Sequence, residues 1–334
     1  MMNELETRKS DFLREEYYLF RHKSGLRVIV FPKKLTTSYA IFAARYGSVD
    51  NEFRLESDGK FTKVPDGIAH FLEHKLFEEP DGGDAFNRFA ALGANVNAYT
   101  TNDMTAFLFS CTNHFYEALG DLLDFVKTPH FTDKSVEKER GIIAQEIKMY
   151  EDQPQRAAYI MMLENLYESH PAKVDVAGTV GSIKKITPEL LYECFRVFYN
   201  LSNMLLIVCG DVDCEKVSEV CDRFLKDEPP VNIIRSYPVE KPEVARAYSE
   251  RRMQASKPLF AIGMKDTTLP DDGVGRMKRY AAFSILNDVL FGKSGGFYNK
   301  LYEEGLLSSQ FDFGYESGIS FAYNGVFGES SDPE

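Results

Sequence analysis

Residues 227–242 carry four prolines, Pro229, Pro230, Pro238 and Pro242, and beyond them the order of elements begins again. In the first half Gly82-Gly83, then Phe86-Asn87-Arg88-Phe89, then Gly93 lie between a helical segment and two strand-like runs. In the second half Gly295-Gly296, then Tyr298-Asn299-Lys300-Leu301, then Gly305 repeat the arrangement with a one-residue gap. Paired glycines interrupt a helix, and a glycine after the last turn ends one. Each half therefore reads strand, helix, break, helix, strand, strand. A chain that repeats such an order is expected to fold as two related α+β units. At roughly 150 residues per domain, 334 residues suit two. The expected division is an N-terminal domain over 16–228, a linker over 229–243 and a partial repeat over 244–334. The second copy lacks a counterpart of the long helical patterns after Cys111. It is expected to be truncated, the chain being part of a longer protein.

Periodicity fills in the first half. Residues 1–15 read as a polar lead-in. Tyr17 to His22 and Leu26 to Phe31 alternate like paired strands around the Ser24-Gly25 turn, and Tyr39 to Tyr46 is a third strand. A polar loop is expected over 50–66. Apolar residues at Ile68, Phe71, Leu72 and Leu76 then predict a helix over 67–79, with Asp66 as its N-cap. A second helix over 84–92 and strands over 94–100 and 105–111 follow. Helices are expected over 115–126, 134–150, 155–168, 188–199 and 214–225, and a strand over 204–209. Thr132 and Thr187 suit N-caps, and Pro188 suits a first helical position.

Composition removes several function classes. The 39 basic and 51 acidic residues give a net charge of −12, which repels a phosphate backbone, so no nucleic-acid partner is expected. No apolar run reaches the length of a membrane-spanning helix, and no membrane association is expected. The first residues show neither a secretory nor a transit pattern. The five cysteines are odd in number and lack a C-x-x-C spacing, which fits free thiols in a reducing cytoplasm.

The chemistry concentrates in His70-Phe71-Leu72-Glu73-His74. Residues i and i+4 of a helix lie about 40° apart on one face, so both imidazoles can hold one metal ion. Glu73 flanks that face, within reach of a metal-bound water. A catalytic zinc takes three protein ligands and an open position, and lowers the pKa of bound water to about 7. The order H-x-x-E-H is a metallopeptidase pattern. The bland alternative, an accidental pair of histidines on an apolar helix, would bury two imidazoles and a carboxylate without return. A third ligand must come from elsewhere. Glu139 and Glu146 lie seven apart, nearly two turns, and share a helix face. Spacing alone does not choose between them, or between either and a solvated charged helix.

Other candidates are weaker. His114 and His130 are isolated, and His170 before Pro171 reads as a structural loop residue. Asp211 and Asp213 suit helix capping after Gly210. Gly292-Lys293-Ser294-Gly295-Gly296 lacks the spacing of a phosphate loop.

Taken together, the chain resembles the insulinase/pitrilysin family of zinc metallopeptidases, the inverzincins. The resemblance rests on the His70–His74 motif and on Glu137-Lys-Glu-Arg-Gly-Ile-Ile-Ala-Gln-Glu146. It also rests on Asn95-Val-Asn-Ala-Tyr-Thr100, His170-Pro171 with Gly178-Thr179, Tyr199 with Asn203-Met204, and Gly210-Asp211-Val212. The block Val64 to Phe77 is most similar to a bacterial cytoplasmic YfmH-like subgroup, whose members often occur beside a homologue without the metal motif. The resemblance implies two related sandwich domains facing each other as a clamshell. It implies one Zn2+ per chain on His70, His74 and Glu146, the last 72 residues after His74. Glu139 would support the site. A substrate peptide would add as a strand along Asn95–Thr100, with Asn97, Ala98 and Tyr99 binding it; the alternative is that Asn95 and Asn97 cap a turn. The family pattern also places an Arg and a Tyr where this chain has Tyr302 and Ser308, a departure that bears on substrate grip and rate.

The expected function is a zinc metalloendopeptidase of the bacterial cytoplasm acting on peptides or small unfolded proteins. Glu73 is the expected general base and Glu139 the residue that orders the site. The expected partners are a peptide substrate and either a homologous subunit or a second copy. The alternative is a zinc-bearing accessory subunit with little peptidase activity of its own. A purely structural zinc is third, since structural sites usually close all four positions with Cys or His.

Overall fold

A computed structural model describes residues 3–80 and 82–332. By packing, the chain divides into two units. One holds the residues up to Ile143 together with Val176–Ser236, and the other holds Ala144–Asp175 with the residues from Tyr237 onward. The segment 144–175 thus packs with residues beyond the proline-rich stretch, although it precedes them in sequence.

The first unit is built on a seven-stranded sheet. Its strands are β1 (Asn3–Ser10), β2 (Glu15–Arg21), β3 (Arg27–Pro32), β4 (Ser38–Ala44), β7 (Asn95–Thr100), β8 (Thr105–Cys111) and β9 (Met204–Gly210), in the order β1-β2-β3-β9-β4-β8-β7. Among the described residues only β3 and β9 of this sheet pair in parallel. In β4 and β9 every second residue is buried, including Ala40, Phe42, Leu206 and Val208. That alternation marks a sheet with one face on a core. The helices α1 (Ile68–Leu76), α2 (Ala85–Ala91), α3 (Phe115–Lys127), α6 (Val180–Ile183), α7 (Pro188–Phe198) and α8 (Cys214–Phe224) belong to this unit. Helix α4 (Asp133–Glu151) runs unbroken through the point where the division falls, and α5 (Pro154–Leu166) follows it. A small sheet joins β5 (Glu52–Leu55), β6 (Thr62–Lys63) and β10 (Ile233–Arg235).

The second unit carries the repeat. Strands β11 (Leu259–Lys265), β12 (Asp312–Ser317) and β13 (Ala322–Glu329) form a sheet in the order β11-β13-β12. Helices α9 (Gly273–Phe291) and α10 (Gly296–Glu303) lie between β11 and β12 in sequence. Strand order and helix placement reproduce β4-β8-β7 with α1 and α2. Here Gly263 has no side chain where α5 comes close; a Cβ would lie 2.7 Å from Met162 Cγ.

Three local expectations change. Residues 3–10 are a strand rather than a lead-in, and charged side chains on a sheet edge discourage further pairing. The 50–66 loop contains β5 and β6 and the proline-rich stretch contains β10, and β5 pairs with both of the others. Asp66 does not cap α1: Gly67, with φ +88, precedes the helix, and the Asp66 carboxylate accepts from Asn51 Nδ2 at 2.6 Å. Thr132 and Thr187 cap their helices by accepting from Ser135 N and Leu190 N.

Gly67 and Gly178 explain how the start of α1 is seated. Both have positive φ, and a Cβ on either would lie 2.4 Å from the Ala177 carbonyl oxygen or 2.6 Å from that of Asp66. Two glycines let these backbones meet, and Ser182 Oγ donates to Asp66 O at 2.8 Å across the junction.

Candidate functional site

Helix α1 carries His70, Glu73 and His74. Its remaining residues are mostly buried, among them Phe71 and Leu72 at 0 % exposure, so the helix cannot rotate without exposing core. The His70 and His74 rings lie with centroids 4.6 Å apart, as the i,i+4 spacing requires. Glu146 joins them: His70, His74 and Glu146 each offer one ligand atom, all within 4.8 Å of one another. Two imidazoles and a carboxylate make the donor set of a catalytic zinc with a fourth position open. The residues therefore fit that ion.

The two remaining acidic residues are buried and partnered. Glu139 is 9 % exposed, and one of its oxygens lies 3.0 Å from His74 Nδ1. A carboxylate acceptor there requires the proton on Nδ1, which makes Nε2 the nitrogen able to ligate a metal. Glu73 is 7 % exposed, and its Oε2 accepts from Thr100 Oγ1 at 2.5 Å. Thr100 is the last residue of β7 and lies close to Thr105, whose Oγ1 donates to Tyr46 O at 2.9 Å. Nothing in the sequence spacing of residues 73 and 100 announces their contact.

Glu146 also has a fixed neighbour. Tyr150 Oη donates to Glu146 Oε1 at 2.5 Å, and that bond pushes the phenol up to about 12. Lys75, fully buried on α1, pairs with Glu78.

Strand β7 is an edge of the large sheet, paired with β8 through Asn97–Leu108, Ala98–Phe107 and Tyr99–Ala106. Asn95 and Asn97 are exposed along it, and Tyr99 is 38 % exposed. Both asparagines lie within the strand, not in a turn. Asn97 Oδ1 accepts from Ala98 N at 2.9 Å, so the side chain covers a backbone donor of that edge.

The weaker candidates have structural partners. Asp213 caps α8 by accepting from Glu215 N and Lys216 N. His170 is 1 % exposed, accepts from Ala172 N and meets Ser320 Oγ at 3.0 Å; burial pushes its imidazole down to about 4. Ser308 donates to Glu329, and Tyr302 stacks on Tyr298. The five cysteines are free thiols. Among the described residues no helix is long and apolar enough to cross a membrane.

Comparison with known proteins agrees with this architecture. Residues 62–180 match the insulinase family (peptidase family M16), and residues 185–331 match the peptidase M16 inactive domain. The uncharacterized zinc protease YmfH of Bacillus subtilis is 42% identical over 96% of this chain and 76% of its own length. An M16-like peptidase from Alicyclobacillus acidocaldarius, solved by crystallography, superposes with TM-score 0.91 at 41% identity, covering 100% of this chain and 76% of that one. Pitrilysin, at 15% identity and TM-score 0.70, shares the fold; the match covers 98% of this chain and 35% of pitrilysin.

Proposed function

The chain belongs to the insulinase family, peptidase family M16, and from that premise we propose that it is a zinc-dependent metalloendopeptidase cleaving peptides or small unfolded proteins. The observation that carries the reading is the convergence of His70, His74 and Glu146 around a helix that also presents Glu73.

One zinc ion would be held by those three residues, and when bound it supplies Lewis-acid polarisation and an acidified water. The chain's own residues supply the rest. Glu73 acts as general base, taking a proton from the attacking water and passing it to the leaving amine nitrogen. The hydrogen bond from Thr100 to Oε2 holds the Glu73 carboxylate in place beside the ligand set. Glu139 holds the His74 ring in the tautomer that ligates through Nε2.

The exposed edge of β7 suits a peptide added as an extra strand, with Asn97, Ala98 and Tyr99 along it. Main-chain pairing reads little side-chain identity, which fits a broad range of unfolded peptides. The Asn97 amide must release Ala98 N–H for that pairing. We retain the covalent division 16–228, 229–243 and 244–334, a bacterial cytoplasmic location, and a homologous subunit or second copy as the protein partner. The accessory-subunit alternative has less support, because the base position and all three ligand positions are filled.

The test is mass spectrometry of a mixed peptide library incubated with zinc-loaded protein, with Glu73→Gln as control. New fragments made only by the unmutated chain are expected. Equal cleavage by the Glu73→Gln variant would overturn the role given to Glu73, and no cleavage by either would overturn the peptidase reading for this chain.

A further inference from the structure

We propose that Tyr150 is a positioning residue for the third metal ligand, Glu146, and that Arg156 and Asp175 hold Tyr150 in place. The inference rests on the zinc reading above.

Glu146 and Tyr150 stand four apart on α4, so their side chains meet on one face. The phenol donates to Glu146 Oε1 at 2.5 Å. A glutamate has several rotatable bonds and loses conformational freedom when it is fixed. The phenol's hold on Oε1 restricts the orientations in which the carboxylate can meet a metal. Ligating carboxylates are in general ordered by such outer partners, as ligating histidines are.

Tyr150 is itself fixed from the other side. The Arg156 guanidinium lies 4.0 Å from the centroid of the Tyr150 ring, a cation over an aromatic face. Arg156 Nε and Nη2 donate to Asp175 Oδ2 and Oδ1 at 2.6 Å and 2.8 Å, a two-point pairing that sets the guanidinium plane. The series Asp175, Arg156, Tyr150, Glu146 thus links the loop after α5, the first turn of α5 and the last turns of α4. All four residues belong to the unit that contains 144–175. Glu139 plays the matching part for His74.

The test compares Tyr150→Phe, Arg156→Lys and Glu146→Gln with the unmutated chain. Zinc affinity is measured by competition with a chromophoric chelator, the site geometry by the visible absorption of the Co2+-loaded protein, and folding by metal-free thermal melting. Tyr150→Phe keeps the ring and its contact with Arg156 but removes the donor. Zinc affinity about 10-fold weaker is expected, with altered cobalt bands and an unchanged metal-free melt. Arg156→Lys loses the planar two-point pairing and should shift the cobalt bands in the same direction by less.

Unmutated affinity and cobalt bands in Tyr150→Phe would overturn the proposal. Should that variant melt lower without metal, the cobalt bands of the folded protein still decide, since unaltered bands overturn it and altered bands support it. The Glu146→Gln control separates the two levels. If it binds zinc as the unmutated chain does, the ligand set is wrong and the zinc reading itself fails. If it loses zinc while Tyr150→Phe does not, only the positioning role falls.

Discussion

The two copies of the repeated element share a strand order and differ in what their first helix carries. In the first, β4-β8-β7 goes with α1, which holds His70, Glu73 and His74 among buried neighbours. In the second, β11-β13-β12 goes with α9, which has no histidine and one buried residue, Asn287. That asparagine exchanges two hydrogen bonds with Asn324, at 2.7 Å and 3.0 Å. The same architecture therefore carries a set of metal-ligand side chains in one place and none in the first helix of the other. Chemistry lies in the residues grafted on the fold, not in the fold itself.

Four substitutions or titrations sharpen or break this contrast. The largest effect belongs to the first copy. Glu73→Gln should lower peptide turnover by about 10²- to 10⁴-fold, the usual worth of a general base, with zinc content unchanged by atomic absorption. Next comes Glu139→Ala, which removes the acceptor at His74 Nδ1. It should weaken zinc binding about 10- to 100-fold in chelator competition.

In the second copy the expected losses are of stability alone. Asn287→Ala leaves the Asn324 amide without its reciprocal partner and should cost about 1–3 kcal/mol in denaturant unfolding. Turnover per folded molecule should stay the same; a proportionate fall in turnover would break the contrast. The last effect is a pH slope. His170 titrates at about 4 in the fold because it is buried, against about 6.5 unfolded. Its share of stability is complete above about pH 6.5 and is lost as pH falls toward 4, at no more than about 1.4 kcal/mol per pH unit. His170→Gln should flatten the slope in that window. Burial lowers His22 of the first unit too, so the slope should shrink and not vanish.

Much of this was legible in the sequence, for reasons that differ by element. Strands β7 and β8 alternate cleanly, and α7 carries both Thr187 and Pro188 at its start, so local pattern and final structure agree. The repeat was readable from paired glycines because glycine is tied to backbone shape. Strand β1 was not, because an edge strand of Glu6, Thr7, Arg8 and Lys9 pairs through its backbone while its side chains look like a loop. Asp66 failed as a cap because tertiary contact with Ala177 and Gly178 takes priority at the start of α1.

At the site, the pair of histidines and Glu73 followed from helix spacing. The choice of Glu146 came from family resemblance and not from spacing, which left Glu139 equally placed. Thr100 could not be found, since its contact with Glu73 joins a strand end to a helix 27 residues away. Tyr150 could have been found, because its i,i+4 relation to Glu146 is written in the sequence.

The most direct measurement is an anomalous difference map, collected at the zinc edge, from crystals of the zinc-loaded protein. The account requires a peak bounded by His70, His74 and Glu146, with none against α9 or the β11-β13-β12 sheet. A strong peak elsewhere, with none at those three side chains, would contradict it.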